Sequence, residues 1–521
     1  MYFRSLPSIV TLVTLIVAGP VTARAVDINV GNSTELQMAL NTAATNATDD
    51  TIFLDPVTFS TTDNGSAAFL YQPGFDAGGL TLTGAGVGQT ILDGDANTRI
   101  LSILDDNSSG EINISGITFQ NGNTNSGSGA GLQIETSGSS NLAVSVTHCE
   151  FNNNINSASI GGGASISNLN QGIVFNANSL VENQSATQGG GAFFSVEAGD
   201  VAITNNIFYL NEATNNGGGF FLTSSQTNLN NIVNNTVFTN SAGAPGGGIA
   251  VNTSASGIAN LFNNIIFGNT VSATPDDVLF DGATGATRNL FFNDLTAFTN
   301  DTLGTVSQGN NPNTDPGLID PDGGNFQLPA GSTLIDVGGD TTSGLPDEDF
   351  LDHPRIIGPN PDLGAIEAFP LLQPSPTQMD FGAVPLAQSS AQTLTLANNG
   401  TYPLDIFGFG VSGSGAFTMD FNGGNEPCGS QNPVIAPGES CTLVVTFTPF
   451  TGDAVTATLL FTSNDPERPS VAVILTGSTP QGGGGCALEK QPTARGLGWI
   501  FLLFTASLIP AILWKRCSIT V

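Results

Sequence analysis

The chain has 521 residues, with 10 Lys and Arg against 43 Asp and Glu and a formal net charge of −33. Between residues 26 and 485 its cations are Arg99, Arg288, Arg355 and Arg468. That balance excludes nucleic acid and anionic lipid surfaces as partners, since both need Lys and Arg to displace counterions, and suits a high-salt or extracellular setting. Only 10% of residues are charged, and Gly, Asn, Ser and Thr dominate around regular apolar beats. This is the composition of all-β secreted repeats rather than of disorder.

Residues 1–25 have the pattern of a signal peptide: Arg4, an apolar run from Ile9 to Ala18, and Ala23-Arg24-Ala25 as the cleavage site. The run is too short to span a bilayer, so cleavage after Ala25 is expected. Residues 26–57 read as the cap that a stacked fold needs over its first coil. Ser33 or Thr34 would N-cap a short helix through Leu36, Met38, Ala39, Leu40 and Ala43, and Thr51–Leu54 would follow as a strand.

Repetition then takes over. Gly-Gly-Gly recurs at 161–163, 189–191, 217–219 and 246–248, in steps of 28, 28 and 29. A second beat, an apolar residue then a spacer then Asn, reads Phe119/Asn121, Phe151/Asn153, Val181/Asn183, Tyr209/Asn211, Phe238/Asn240 and Phe267/Asn269. Short apolar or alternating segments such as Leu80–Thr83, Ile100–Leu104, Glu111–Ile114, Gly131–Ile134, Ala192–Val196 and Gly219–Leu222 supply strands. A period near 29 with no room for helices means one unit stacked along an axis. Eight to ten coils at ~4.8 Å give a rod on the order of 40–50 Å long. Asn121, Asn153, Asn183, Asn211, Asn240 and Asn269 are expected to stack as an amide ladder at one corner; an amide row that binds sugar is the functional alternative. The glycines would allow positive φ at a turn. These repeats resemble the right-handed parallel β-helix proteins of the pectate-lyase-like superfamily, over roughly residues 26–370.

Residues 311–370 close that region as a Gly/Pro/Asp-rich cap. Asp315-Pro316-Gly317, Gly324-Asn325-Phe326, Gly331–Gly338, His353-Pro354-Arg355 and Asp362–Glu367 resemble the choice-of-anchor Q segment, with His353 where that family often has Gly. Arg355 is its one cation, and is read as a structural partner for one or two of Asp336, Asp347, Glu348, Asp349, Asp352 and Asp362. Residues 371–478 hold about seven short alternating strands, the pattern of an immunoglobulin-like sandwich. Phe381-Gly382, Pro437–Cys441 and Phe447-Thr448-Pro449 resemble the ASH-like or choice-of-anchor D domain, which implies a spacer or interaction module. Outside the cytoplasm Cys428 and Cys441 would form a disulfide closing a short loop. Cys149, in the alternating Val144–Cys149, reads as a small buried hydrophobe.

The tail has three parts: a Gly-rich linker over 479–495 with Gly485-Cys486, an apolar run over 496–514, and the basic Lys515-Arg516, which would leave residues 515–521 in the cytoplasm. Gly-Cys, apolar helix and basic end resemble sorting signals of the JDVT-CTERM or MYXO-CTERM kind. Those imply a sorting protease acting near Gly485 and Cys486; the plain alternative is a permanent membrane anchor.

Pectate-lyase-like enzymes use a strong Arg or Lys base with Ca2+, or clustered Asp with His and an uronate-binding cation set. The coils offer Arg99, Arg288 and His148. Their best acidic cluster is Asp276, Asp277 and Asp281, with Arg288 downstream; a solvated turn or a Ca2+ site is the competing reading. Asp93, Asp95, Asp105 and Asp106 read as loop carboxylates. The sequence therefore points to an all-β, exported, surface-anchored protein that is not an enzyme and works in adhesion, surface structure or glycan binding. A polysaccharide lyase or glycoside hydrolase is the alternative. No cofactor is implied beyond the Ca2+ option, and the metal question stays open.

Overall fold

In a computed structural model of the protein, the described residues are 25–73, 78–225, 228–272, 274–300, 306–339 and 344–480. The fold is all-β: a parallel β-solenoid followed by a β-sandwich. One coil shows the plan. Asn141–Thr147 lies in a first sheet of eleven strands, Glu150–Asn152 in a second of nine, Ile155–Asn156 in a short third of seven, and Ala164–Asn168 in a fourth of nine. Each strand pairs in parallel with its equivalent one coil on, as Val144 opposite Ile173 and Phe151 opposite Leu180. Alternate residues point inward and stack with their equivalents, so Phe119 lies face to face with Phe151 at 4.9 Å between ring centres. That matches the strand spacing, and repeated burial of such rings makes the core continuous along the axis.

The helix Ser33–Ala43 covers the first coil through Leu36, Ala39, Leu40 and Ala43. Its N-cap is Asn32, one residue before the expected Ser33 and two before Thr34. Asn32 Oδ1 accepts from Glu35 N, while Glu35 Oε2 accepts from Gly31 N, so side chains satisfy the first free amides.

The corners explain the repeated asparagines. Between the second and third sheets the chain turns through a left-handed residue, at Asn121, Asn153, Glu182, Leu210, Thr239 and Gly268. The next residue points inward, and these form the ladder: Asn154, Asn183, Asn211, Asn240 and Asn269. Asn183 Nδ2 donates to Asn211 Oδ1 at 2.9 Å and to the Phe151 carbonyl at 2.9 Å. Asn121 and Asn153 do not belong to this row. Phe119 and Phe151 are inward residues, whereas Val181, Tyr209, Phe238 and Phe267 are outward ones, so the apolar-x-Asn beat slips by one residue between them. A period of two makes that slip reverse the face. Gly122 takes the ladder position in its coil, and its amide donates to Asn154 Oδ1.

A second ladder runs at the corner between the first and second sheets, through Asn178, Asn206, Asn235, Asn264 and Asn293. Cys149 takes its first position; its amide donates to Asn178 Oδ1, and burial pushes its thiol pKa up to about 12. The Gly triplets do two jobs. Only the first glycine of each, Gly161, Gly189, Gly217 and Gly246, has positive φ. The second meets neighbouring backbone: a Cβ on Gly190 would stand 2.4 Å from the Gly218 carbonyl oxygen. These loops lie against the third sheet with no room for a side chain.

Residues 311–369 were expected to cap the end of the solenoid; instead they run as a strap along its flank, with a single 3-10 turn at Pro321–Gly323 among the described residues. Phe326, Ala365 and Ile366 pack on Ile207 and Tyr209, and Leu328, Leu334 and Leu363 on Ile265. The strap also takes hydrogen bonds from the outward corner residues. Asn205 Nδ2 donates to the Glu348 carbonyl, Asn234 Nδ2 to those of Asp362 and Gly364, and Asn263 Nδ2 to that of Gly339.

The sandwich has nine strands. Leu372–Ser375, Ser390–Asn398, Ser440–Phe447 and Phe417–Asp420 form one sheet, and Gln378–Ala383, Ser470–Ser478, Val455–Ser463, Leu404–Gly413 and Val434–Ile435 the other. Cys428 and Cys441 are joined by a disulfide. Strap and sandwich touch where Tyr402 OH donates to Asp336 and where His353 Nε2 lies 3.8 Å from Glu467 Oε1.

Candidate functional site

The acidic cluster that the sequence nominates for chemistry is taken up by structure. Asp277 is fully buried and ends the first ladder in place of an Asn. Its carboxylate accepts from Asn269 N and Nδ2 and from the amides of Thr296 and Ala297. Burial nevertheless raises its pKa, by favouring the neutral form. Asp276 accepts from Gly246 N and Thr299 Oγ1. Asp281 faces outward on its strand, beside Asn252. Arg288 is 1% exposed and in register with the inward Ala259; its Nη2 donates to the main-chain carbonyl of Asp281 at 3.2 Å. Burial lowers its pKa. The four residues are near in space but do not converge on one open cavity.

Arg355 lies under the strap, 1% exposed, with Glu367 as its ion-pair partner at 3.0 Å. Glu367 was not among the acids expected to hold it. Arg355 also donates to Asn205 Oδ1 and to the carbonyls of Gly364 and Ala365. Asp362 and Asp349 sit beside this pair and accept main-chain amides instead. Burial lifts the Glu367 pKa well above its usual range and that of Asp362 to about 6. This is a buried fastening, not a reaction centre.

Two surfaces have the shape to meet a ligand. On the outer face of the first sheet, hollows of about 310 and 340 Å³ share Glu111 and Asn113 and are edged by Asp49 and Asp200. Thr81, Asn113, Ser145 and Val174 are register equivalents along this floor. Further along the same row stand Asn231, Asn260 and Asn289, an outward ladder with Nδ2–Oδ1 distances of 2.9 and 2.7 Å. The other surface is a cleft of about 640 Å³ between the second sheet and the strap, floored by Val181, Tyr209 and Phe326 and edged by Glu150, Glu182 and Asp322. Sequence reasoning missed this cleft. Its signal was the apolar member of the apolar-x-Asn beat, which marks an outward row that something must cover.

Among the described residues no group of three or more His, Cys, Asp or Glu could hold a metal ion, and no helix is long and apolar enough to cross a membrane. The leader through Arg24, the linker with Gly485 and Cys486, and the 496–514 run lie outside the described residues.

Comparison with known proteins places a family match at the sandwich. No curated protein matches the chain. Among solved structures, a Porphyromonas gingivalis W83 protein of unknown function is 19% identical, over 22% of this chain and 50% of that one, with a TM-score of 0.19. The chain thus spans about half the length of that protein. The secreted serine protease VesC from Vibrio cholerae is 18% identical over 22% of this chain and 23% of its own, with a TM-score of 0.17. The ASH/PapD-like domain 7 of human CEP192 is 14% identical over 21% of this chain and 86% of its own, with a TM-score of 0.17. Residues 369–479 match the Cep192 domain 4 family.

Proposed function

We propose that this is an exported, surface-attached protein whose solenoid binds an extended neutral glycan along the first sheet without cleaving it. The observation that carries the reading is the outward polar row Thr81, Asn113, Ser145 and then Asn231, Asn260, Asn289, repeated at strand spacing. A polymer lying along the axis would meet a hydroxyl or an amide about every 4.8 Å within each triplet, with the apolar Val174 and Ala202 between the two. Amides both donate and accept, as sugar hydroxyls require. Asp49, Glu111 and Asp200 at the edges would repel uronates, so a neutral chain fits better. Commitment of Asp277 and Arg288 to the interior supports binding over cleavage. The signal-peptide pattern and the Gly-Cys, apolar, basic tail support export and C-terminal attachment, with the sandwich as a spacer.

The test is a glycan array probed with residues 26–480, which contain both hydrophobic cores, beside a depolymerisation assay. Binding of a neutral polysaccharide that Asn113→Ala and Asn289→Ala weaken is expected. The reading fails if no glycan is retained. It also fails if a polysaccharide is cut and Asp277→Ala or Asp281→Ala abolishes the cutting, which would establish the lyase or hydrolase reading.

A further inference from the structure

We infer that the cleft between the second sheet and the strap is a binding site for an alkylammonium group, as carried by a lysine side chain or a free polyamine. The site is separate from the glycan surface and does not rest on it. Its floor is apolar and aromatic: Tyr209 is 6% exposed and meets Phe326 edge to face at 5.2 Å between ring centres, with Val181 alongside. Its edge is anionic: Glu150, Glu182 and Asp322 line it, and Tyr209 OH donates to Asp322. No cation lines it.

Among the described residues no cation is free to fill the cleft. Of the four arginines among the described residues, Arg288 and Arg355 are buried. Arg99 is tied to the carbonyls of Ser126, Ser128 and Gly129, and Arg468 donates to Gln373 in the sandwich. The described residues therefore leave the anionic edge without a counter-charge. A hydrated metal is the poorer fit, because its ligands would have to converge, and no such group exists among the described residues. An aliphatic chain ending in an ammonium uses every part of the cleft. Its methylenes cover the Val181 and Phe326 floor, and its charge sits at the aromatic face between carboxylates.

The experiment titrates residues 26–480 with 1,5-diaminopentane, with Nα-acetyl-lysine methylamide, and with the Nε-acetylated form of the latter as the uncharged comparator. Glu182 and Asp322 are exposed, so Glu182→Gln and Asp322→Asn leave the fold intact, and the asparagine keeps an acceptor for Tyr209. Binding of the charged probes, weakened roughly three- to tenfold by each variant and by added salt, is expected. Glu212→Gln, on the third sheet, is expected to change nothing. Preference for the diamine identifies a free polyamine as the source; preference for the lysine probe identifies a peptide. Equal binding of the acetylated comparator, equal loss in Glu212→Gln, or no binding up to roughly 10 mM overturns the inference.

Discussion

The coils and the strap bury polar groups in opposite ways. Along the two ladders of the coils the buried groups are neutral amides, each both donor and acceptor, passed from one turn to the next until Asp277 ends the first. Under the strap they are charged or chargeable: Glu367 pairs with the Arg355 guanidinium, Asp362 and Asp349 beside it accept main-chain amides, and Asp294 lies buried against the segment around Thr314. A ladder spreads the cost of burial over equal steps, and each step can be extended by adding a coil. The strap concentrates it at a few contacts between residues up to 150 positions apart in sequence, such as Arg355 with Asn205. The Asn-Asn pairs at 205–206, 234–235 and 263–264 join the two schemes. The first Asn of each turns outward to the strap, and the second turns inward to the ladder.

The sharpest way to break this contrast is Arg355→Ala. It leaves Glu367 and the carbonyls of Gly364 and Ala365 without their donor, and a loss of about 3–5 kcal/mol is expected. Arg355→Lys should not restore it, since one ammonium cannot reach four acceptors set around a planar fork. Denaturant midpoints measure both, and proteolysis of residues 311–369 reports whether the strap detaches first.

The pH dependence separates the regions next. Burial, followed by the nearby Asp277 and Asp315 charges, raises the Asp294 pKa to about 7, and burial raises that of Asp362 to about 6. In the unfolded chain both sit near 3.9. Between those values the folded state holds protons that the unfolded state has released, so stability is highest below about pH 4 and falls as pH rises towards 7. Asp294 alone should contribute about 2–4 kcal/mol to that fall. Asp294→Asn should flatten the profile and raise the melting temperature at pH 8. A wild-type melting temperature that climbs from pH 5 to pH 8 would contradict this account.

What the sequence made legible follows the same division. Period, strands and the Asn183, Asn211, Asn240, Asn269 row were readable because each coil repeats the same physics. The slip at Asn121 and Asn153 arose because Phe119 faces the core while Tyr209 faces the strap, and hydrophobicity alone cannot tell those two burials apart. The second ladder was written in the Asn-Asn pairs but hidden by Cys149 and Ala177, which break the motif in its first coils. The strap's partners could not be read at all, since its contacts occur once each and are distant in sequence. For the same reason Asp277 resembled a catalytic acid: nothing local shows that it stands in for a ladder Asn.

Within the coils, neighbouring residues should respond in opposite directions. Asn240 joins Asn211 to Asn269 and also holds the Phe208 carbonyl. Asn240→Ala leaves those groups buried and unpaired, for an expected loss of about 1–3 kcal/mol. A loss confined within experimental error would mean the ladder is ornament on a stable stack.

Thr239, one residue earlier, carries the smallest and most discriminating effect. It is exposed, and it holds the left-handed corner at φ 55° with a β-branched side chain. An L-residue pays roughly 1–2 kcal/mol for that backbone, whereas Gly268 meets it one coil on without a side chain. Thr239→Gly removes the steric cost and adds back part of it as unfolded-chain entropy, for a net gain of about 0.5–1 kcal/mol. Thr239→Ala keeps a Cβ and should stay within about 0.5 kcal/mol of the parent. The corner amide still donates to the Phe267 carbonyl in all three chains, so the pairing between coils is unchanged. If Thr239→Gly instead destabilises as much as Asn240→Ala, the corner is not a strained hinge beside a polar ladder. Side-chain contacts of Thr239 would then hold the turn, and the division of labour between the two positions would be wrong.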